Sequence, residues 1–129
     1  MKRYNPLKAP ASEEWLNMDE TERLRLVEDY HHRVRAELPN VAAHAIFHVI
    51  VENQVALGDE MPVRRTIDRL MKEGIDRHEA IHAVGSVMSQ HMWKLARRAP
   101  TALLHGDLNA RYYAALEKLT VESWRQAYK

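Results

Sequence analysis

Apolar positions recur along this chain at three- and four-residue spacings from about residue 12 onward, and no run shows the alternation of a half-buried strand. Ser12, with Glu13 and Glu14 behind it, supplies a cap and an acidic first turn for a short helix through Trp15 and Leu16. Asp19, with Glu22 at the capping-box position, opens a longer helix. Its Leu24, Val27, Tyr30, His31, Val34 and Leu38 share one stripe until Pro39 stops it. Asn40 caps the next, from about Val41 to Leu57, and Gly58 ends it. The first part of that helix is apolar nearly all round, which marks a central element. Pro62 suits the first turn of a shorter helix with Val63, Ile67, Leu70 and Met71 inward, closed by Gly74. Asp76, three residues before Glu79, caps a long helix that runs to about Ala99 and stops at Pro100. A loop over Thr101 to Asp107 tucks in Leu103 and Leu104. A last helix from about Leu108 then carries Tyr112, Leu116 and Leu119, and Thr120 restarts it toward Trp124.

The pattern predicts an all-α fold, a single-domain bundle of about five helices over residues 12–129. Residues 1–11 hold Pro6 and Pro10 without periodicity and read as an extended N-terminal arm.

Two helices carry polar groups where the pattern asks for apolar ones. His44, His48 and Glu52 drift across the stripe that holds Val41, Val51 and Val55. His78 and His82 share a stripe with Gly85 and Ser89, small residues that would let another helix approach. Histidines four apart on a helix project from one face, so each pair is ready to chelate a single ion. The second pair also has the H-E-x-x-H form of zinc hydrolases, in which Glu79 would serve as general base. Glu52 is the other candidate for that role. The expected metal ligands are therefore His44, His48, His78 and His82, gathered between two antiparallel neighbours, and His31 could join them from a third helix. Gln54 is a candidate partner for a ligating imidazole. His32, adjacent to His31, points elsewhere, while His91 and His105 read as structural or solvated. Trp15, Trp93, Trp124 and the methionines read as packing.

Composition narrows the chemistry. There is no cysteine, so a metal must be held by imidazole, carboxylate or amide oxygen, which suits zinc first, with iron, manganese and nickel behind it. The 19 basic and 18 acidic residues are mixed along the chain and leave a net charge of +1, which gives no electrostatic case for nucleic acid or a membrane surface. No apolar run approaches the length of a membrane span, and the N-terminal stretch lacks the core of a signal peptide, so the expected location is cytoplasmic.

His44-x3-His48, Gln54 six residues on, then His78-Glu79-x-x-His82 and Trp93 about three turns later make a pattern that resembles an uncharacterised family of small bacterial proteins, known as a domain of unknown function. The resemblance covers about fifty residues and implies a bacterial source without a known reaction. Members of that family often carry H-E-x-E-H, where this chain has Ile81 at the second acid, and an acid beside the glutamine, where it has Asn53.

Three functional expectations follow. The first is a divalent-metal protein, with zinc foremost, that would act as a metal-dependent hydrolase if it is an enzyme. A zinc peptidase fits poorly: Gly85 matches an extended motif, but Met88 stands where its third histidine belongs, and no strand would pair with a peptide. The second is a metal-free interaction module with a buried His/Glu/Gln hydrogen-bond network, whose Tyr112, Tyr113 and Trp124 suit self-association or a protein partner. The third, a di-iron bundle bridged by Glu52 and Glu79, has few carboxylates to draw on.

Overall fold

The computed structural model describes residues 1–36, 40–98 and 107–128. Seven α-helices and one 3₁₀ turn are present among them, and no strand. They are α1 (Ser12–Asn17), α2 (Glu20–Arg33), α3 (Val41–Ala56), α4 (Val63–Lys72), α5 (Arg77–Arg98), α6 (Asp107–Lys118) and α7 (Val121–Tyr128). The bundle is thus all-α, with about seven helices rather than five: the short α1 and α7 are separate elements. No helix among the described residues is long and apolar enough to cross a membrane.

Local chemistry sets most of the helix boundaries. Asp19 accepts from the Thr21 N–H at 2.9 Å, Asn40 from Ala43 at 3.0 Å and Asp76 from Glu79 at 2.8 Å, each satisfying an otherwise orphaned donor. The acids expected to complete two capping boxes do not. Glu22 turns to Arg25, and among the described residues the Glu79 carboxylate accepts nothing from the Asp76 N–H. Ser12 is the first helical residue of α1 rather than its cap, and its hydroxyl accepts from Arg64. Helix α2 stops at Arg33, short of the expected Pro39. Arg35 takes a left-handed conformation at φ 55°, so that Ala36 N–H closes onto the His31 carbonyl at 3.0 Å. Leu38, Pro39, Ala99, Pro100, the 101–106 loop with Leu103 and Leu104, and His105 lie outside the described residues.

Helix α3 is the hub, packing against α1, α2, α4 and α5. Its nearly all-round apolar surface lets it serve two cores at once. On one side Val51 and Val55 join α4 to α7 through Ile67, Leu70, Ile81 and Tyr112. On the other, Ala45 and Val49 meet Leu26 and Val27 of α2, together with Trp15 and Tyr4. Residues 1–11 are non-helical, yet Tyr4 is fully buried and Pro6 is buried too, so this segment packs into the structure. Met71 and Trp93, both expected to pack, are instead 39% and 59% exposed, and Trp93 carries the Arg97 guanidinium 4.5 Å over its ring.

Candidate metal centre

Helices α2, α3 and α5 bring five imidazoles together. His31 comes from the last turn of α2, His44 and His48 from successive turns of α3, and His78 and His82 from the first two turns of α5. The nitrogens of His31, His44, His48 and His78 can all lie within 4.8 Å of one another. His82 Nε2 stands 3.1 Å from His44 Nε2 and 3.1 Å from His48 Nε2. Two overlapping groups result, sharing His44 and His48. The four histidines singled out in the sequence do converge, and His31 completes the set from the third helix.

Ring-nitrogen chemistry makes that convergence informative. An imidazole nitrogen carries one N–H or one in-plane lone pair, never both. His82 Nε2 therefore makes at most one full hydrogen bond with its two neighbours. Partners on the far side of the rings sharpen the point. His31 Nδ1 faces the Val27 carbonyl at 2.8 Å and must donate to it, which leaves Nε2 as a lone pair. That Nε2 is buried with no partner, as is Nε2 of His78. Tyr4 donates its hydroxyl proton to Glu52 Oε2 at 2.6 Å, so its oxygen accepts from His48 Nδ1 at 3.1 Å. His48 too presents a bare Nε2 to the cluster. Four nitrogens around zinc at about 2.0–2.1 Å would stand about 3.3 Å apart, close to the spacing already seen at His82.

Behind His48 lies a buried ion pair. Arg77 grips Glu52 with both prongs, Nη2 to Oε1 at 2.7 Å and Nη1 to Oε2 at 2.8 Å, and also donates to the Pro6 carbonyl at 3.0 Å. Burial disfavours the Arg77 charge, but Glu52 outweighs it and holds the guanidinium pKa above its ordinary value. Burial, reinforced by Glu52, raises the Tyr4 phenol well above its usual range, which keeps the proton it donates. A chain Arg77–Glu52–Tyr4–His48 thus fixes the orientation and tautomer of one imidazole. Glu52, a candidate base, has both oxygens engaged here. Glu79, the other candidate, is half-buried on α5 and is not among the groups that converge. Gln54 faces α6, accepting from the Tyr112 hydroxyl at 2.6 Å, and plays no part beside the histidines.

Tyr4 and Arg77 were not foreseen in this site. The signal for Arg77 was Glu52 itself: an acid on the inward stripe of a central helix requires a buried cation. Tyr4 was an aromatic residue in a segment otherwise read as extended arm.

Burial first, and then the neighbouring imidazoles, lowers the pKa of His44 to about 4 and that of His82 to about 3. His48 is pushed down furthest, by burial and then by its four companions. Burial also lowers His31 and His78, against the Val27 carbonyl in the first case and the Asp76 and Glu79 carboxylates in the second. The five rings are neutral at pH 7 and available as nitrogen donors. At His44 and His82 the unfolded chain takes up protons near pH 6.5 and the folded metal-free chain only near pH 4 and below, so acid favours unfolding between those limits. The lowered His31, His48 and His78 act in the same direction. Metal-free protein is therefore expected to melt at steadily lower temperature as pH falls from about 6.5 to about 4, with a flatter response above. A melting temperature constant across that window in calorimetry would contradict the burial assigned to these rings.

The cluster opens on a cavity of about 340 Å³, whose described wall includes His44, His48 and His82 but neither His31 nor His78. No family model matches the chain, and no curated protein or solved structure matches it either. The reading of this centre therefore rests on its own atoms.

Proposed function

We propose that this protein binds one divalent transition-metal ion, zinc foremost, between α2, α3 and α5. His44, His48 and His82 supply Nε2 donors on the cavity side, and a nitrogen of either His31 or His78 completes a four-nitrogen set from behind. The observation that carries this reading is the pair of 3.1 Å contacts at His82 Nε2, which one ring nitrogen cannot satisfy by hydrogen bonding and one shared cation can. Support also comes from the buried, unpartnered Nε2 atoms of His31 and His78, since each unpaired buried nitrogen costs about 1–3 kcal/mol unless something binds it. The all-imidazole donor set suits zinc, nickel or iron better than manganese.

Hydrolysis is not part of the proposal. A base beside the ion would be needed, and Glu52 is held by Arg77 and Tyr4 while Glu79 stands outside the cluster. The metal-free alternative draws on the Tyr4–His48 hydrogen bond, which would persist without an ion.

Elemental analysis of protein purified without an affinity tag separates the two. About one metal per chain is expected, and less than about 0.2 would refute the proposal. Excess EDTA is expected to lower the melting temperature sharply, whereas an unchanged value favours the metal-free module.

A further inference from the structure

We infer that the cavity beside the centre is a binding site for a small, singly anionic molecule, a carboxylate or hydroxamate head on a compact aromatic or aliphatic body. The inference rests on the metal reading given above. Charge selects the head. Imidazole ligands are neutral, and the buried carboxylate behind them, Glu52, is already matched by Arg77. Asp76 and Glu79 act on His78 and His82 only from outside the cluster, so an ion held here keeps most of its double positive charge. No Asp, Glu, Lys or Arg appears in the described wall, so among the described residues only the ion would offer a positive charge to an anionic group.

The remaining walls select the body. Phe47, Ile81 and Trp124 give the cavity apolar faces, and its volume of about 340 Å³ lies at the small end of ligand pockets. Helix α5 presents its smallest residues to the space: Gly85, Ser86 and Ser89 follow His82 along that wall. Ser86 returns its hydroxyl proton to the His82 carbonyl, and Ser89 has no partner among the described residues.

Gly85 is the telling position. A mid-helix glycine is less stable than alanine, and close helix packing is the usual reason for keeping one. A methyl at Gly85 would meet only Val51 Cγ2, at an ordinary 3.9 Å. Packing does not require glycine here; an unobstructed cavity wall accounts for it.

Cobalt(II) in place of the native ion makes the site visible through its d–d absorption. Phenylacetate added to cobalt-loaded protein is expected to change that spectrum and to bind about 10–100-fold more tightly than acetate. Malonate and inorganic phosphate should bind more weakly than phenylacetate. Ser89→Leu is expected to take up cobalt normally but to bind phenylacetate about 10–100-fold more weakly. Should that variant not fold, Phe47→Ala serves instead, narrowing the preference for phenylacetate over acetate. Cobalt uptake with no spectral response to phenylacetate, or with equal affinity for acetate, overturns the pocket inference and leaves the metal reading standing. Failure to take up cobalt overturns both.

Discussion

Arg77→Met is expected to destabilise the protein by about 3–5 kcal/mol, because it strands a buried carboxylate. Glu52 is 1% exposed and Arg77 5%, so water cannot take over the lost partner. Arg77 also donates to the Pro6 carbonyl, and its loss would loosen the segment that carries Tyr4. Arg77→Met combined with Glu52→Leu should recover most of the stability, since exchanging a whole buried ion pair for apolar groups is often neutral. Metal affinity should not recover with it. In the double variant Tyr4 has lost the acceptor that orients its hydroxyl toward His48, and loss of such an outer partner typically weakens metal binding about 10–100-fold. Urea denaturation and a competitive zinc titration measure the two effects separately. A cost below about 1 kcal/mol for Arg77→Met would mean that solvent reaches Glu52.

That separation of stability from function mirrors what the sequence made legible. Helix type and most boundaries were readable because they depend on local chemistry. Asp19, Asn40 and Asp76 cap where their side chains dictate, and α3 is central because its apolar residues cover it nearly all round. The end of α2 was not readable. It turns on Arg35 adopting a left-handed conformation, which propensity argues against in a non-glycine residue. Trp93 and Met71 lie on helices that do pack, but at the margins of the buried stripe, where side-chain type alone does not decide burial.

Within the site, the i,i+4 histidine pairs were legible because helical geometry fixes which face each occupies. His31 was placed on the inward stripe of α2 but could be joined to the others only by knowing which side of α3 that helix covers. The roles of Glu52 and Glu79 were the least legible. A motif assigns an acid by spacing, whereas its chemistry depends on what else reaches it. Arg77, two residues before Glu79, turned out to be the group that occupies Glu52. Gly85 shows the same limit: its size was read as room for a helix, yet the nearest atom leaves space for a methyl.

Zinc at about a thousand times its Kd is expected to stabilise the parent protein by about 4 kcal/mol, which for a chain of this length raises the melting temperature by roughly 12–20 °C. His82→Ala should remove nearly all of that rise, because His82 Nε2 is the nitrogen that both His44 and His48 approach. The same variant without metal should stay within about 1 kcal/mol of the metal-free parent. His82 is only half-buried, and truncating it removes two 3.1 Å nitrogen–nitrogen contacts that hydrogen bonding cannot both satisfy. The prediction is thus a change in response to zinc with little change in intrinsic stability. Ordinary core histidines would give the opposite pattern, a loss of stability that zinc does not alter. His32→Ala, on the exposed side of α2, is the matched control and should keep the full zinc response. Thermal melts of the three proteins with zinc and with EDTA decide the matter, and an equal zinc-dependent rise in parent and His82→Ala would remove His82 from the metal centre.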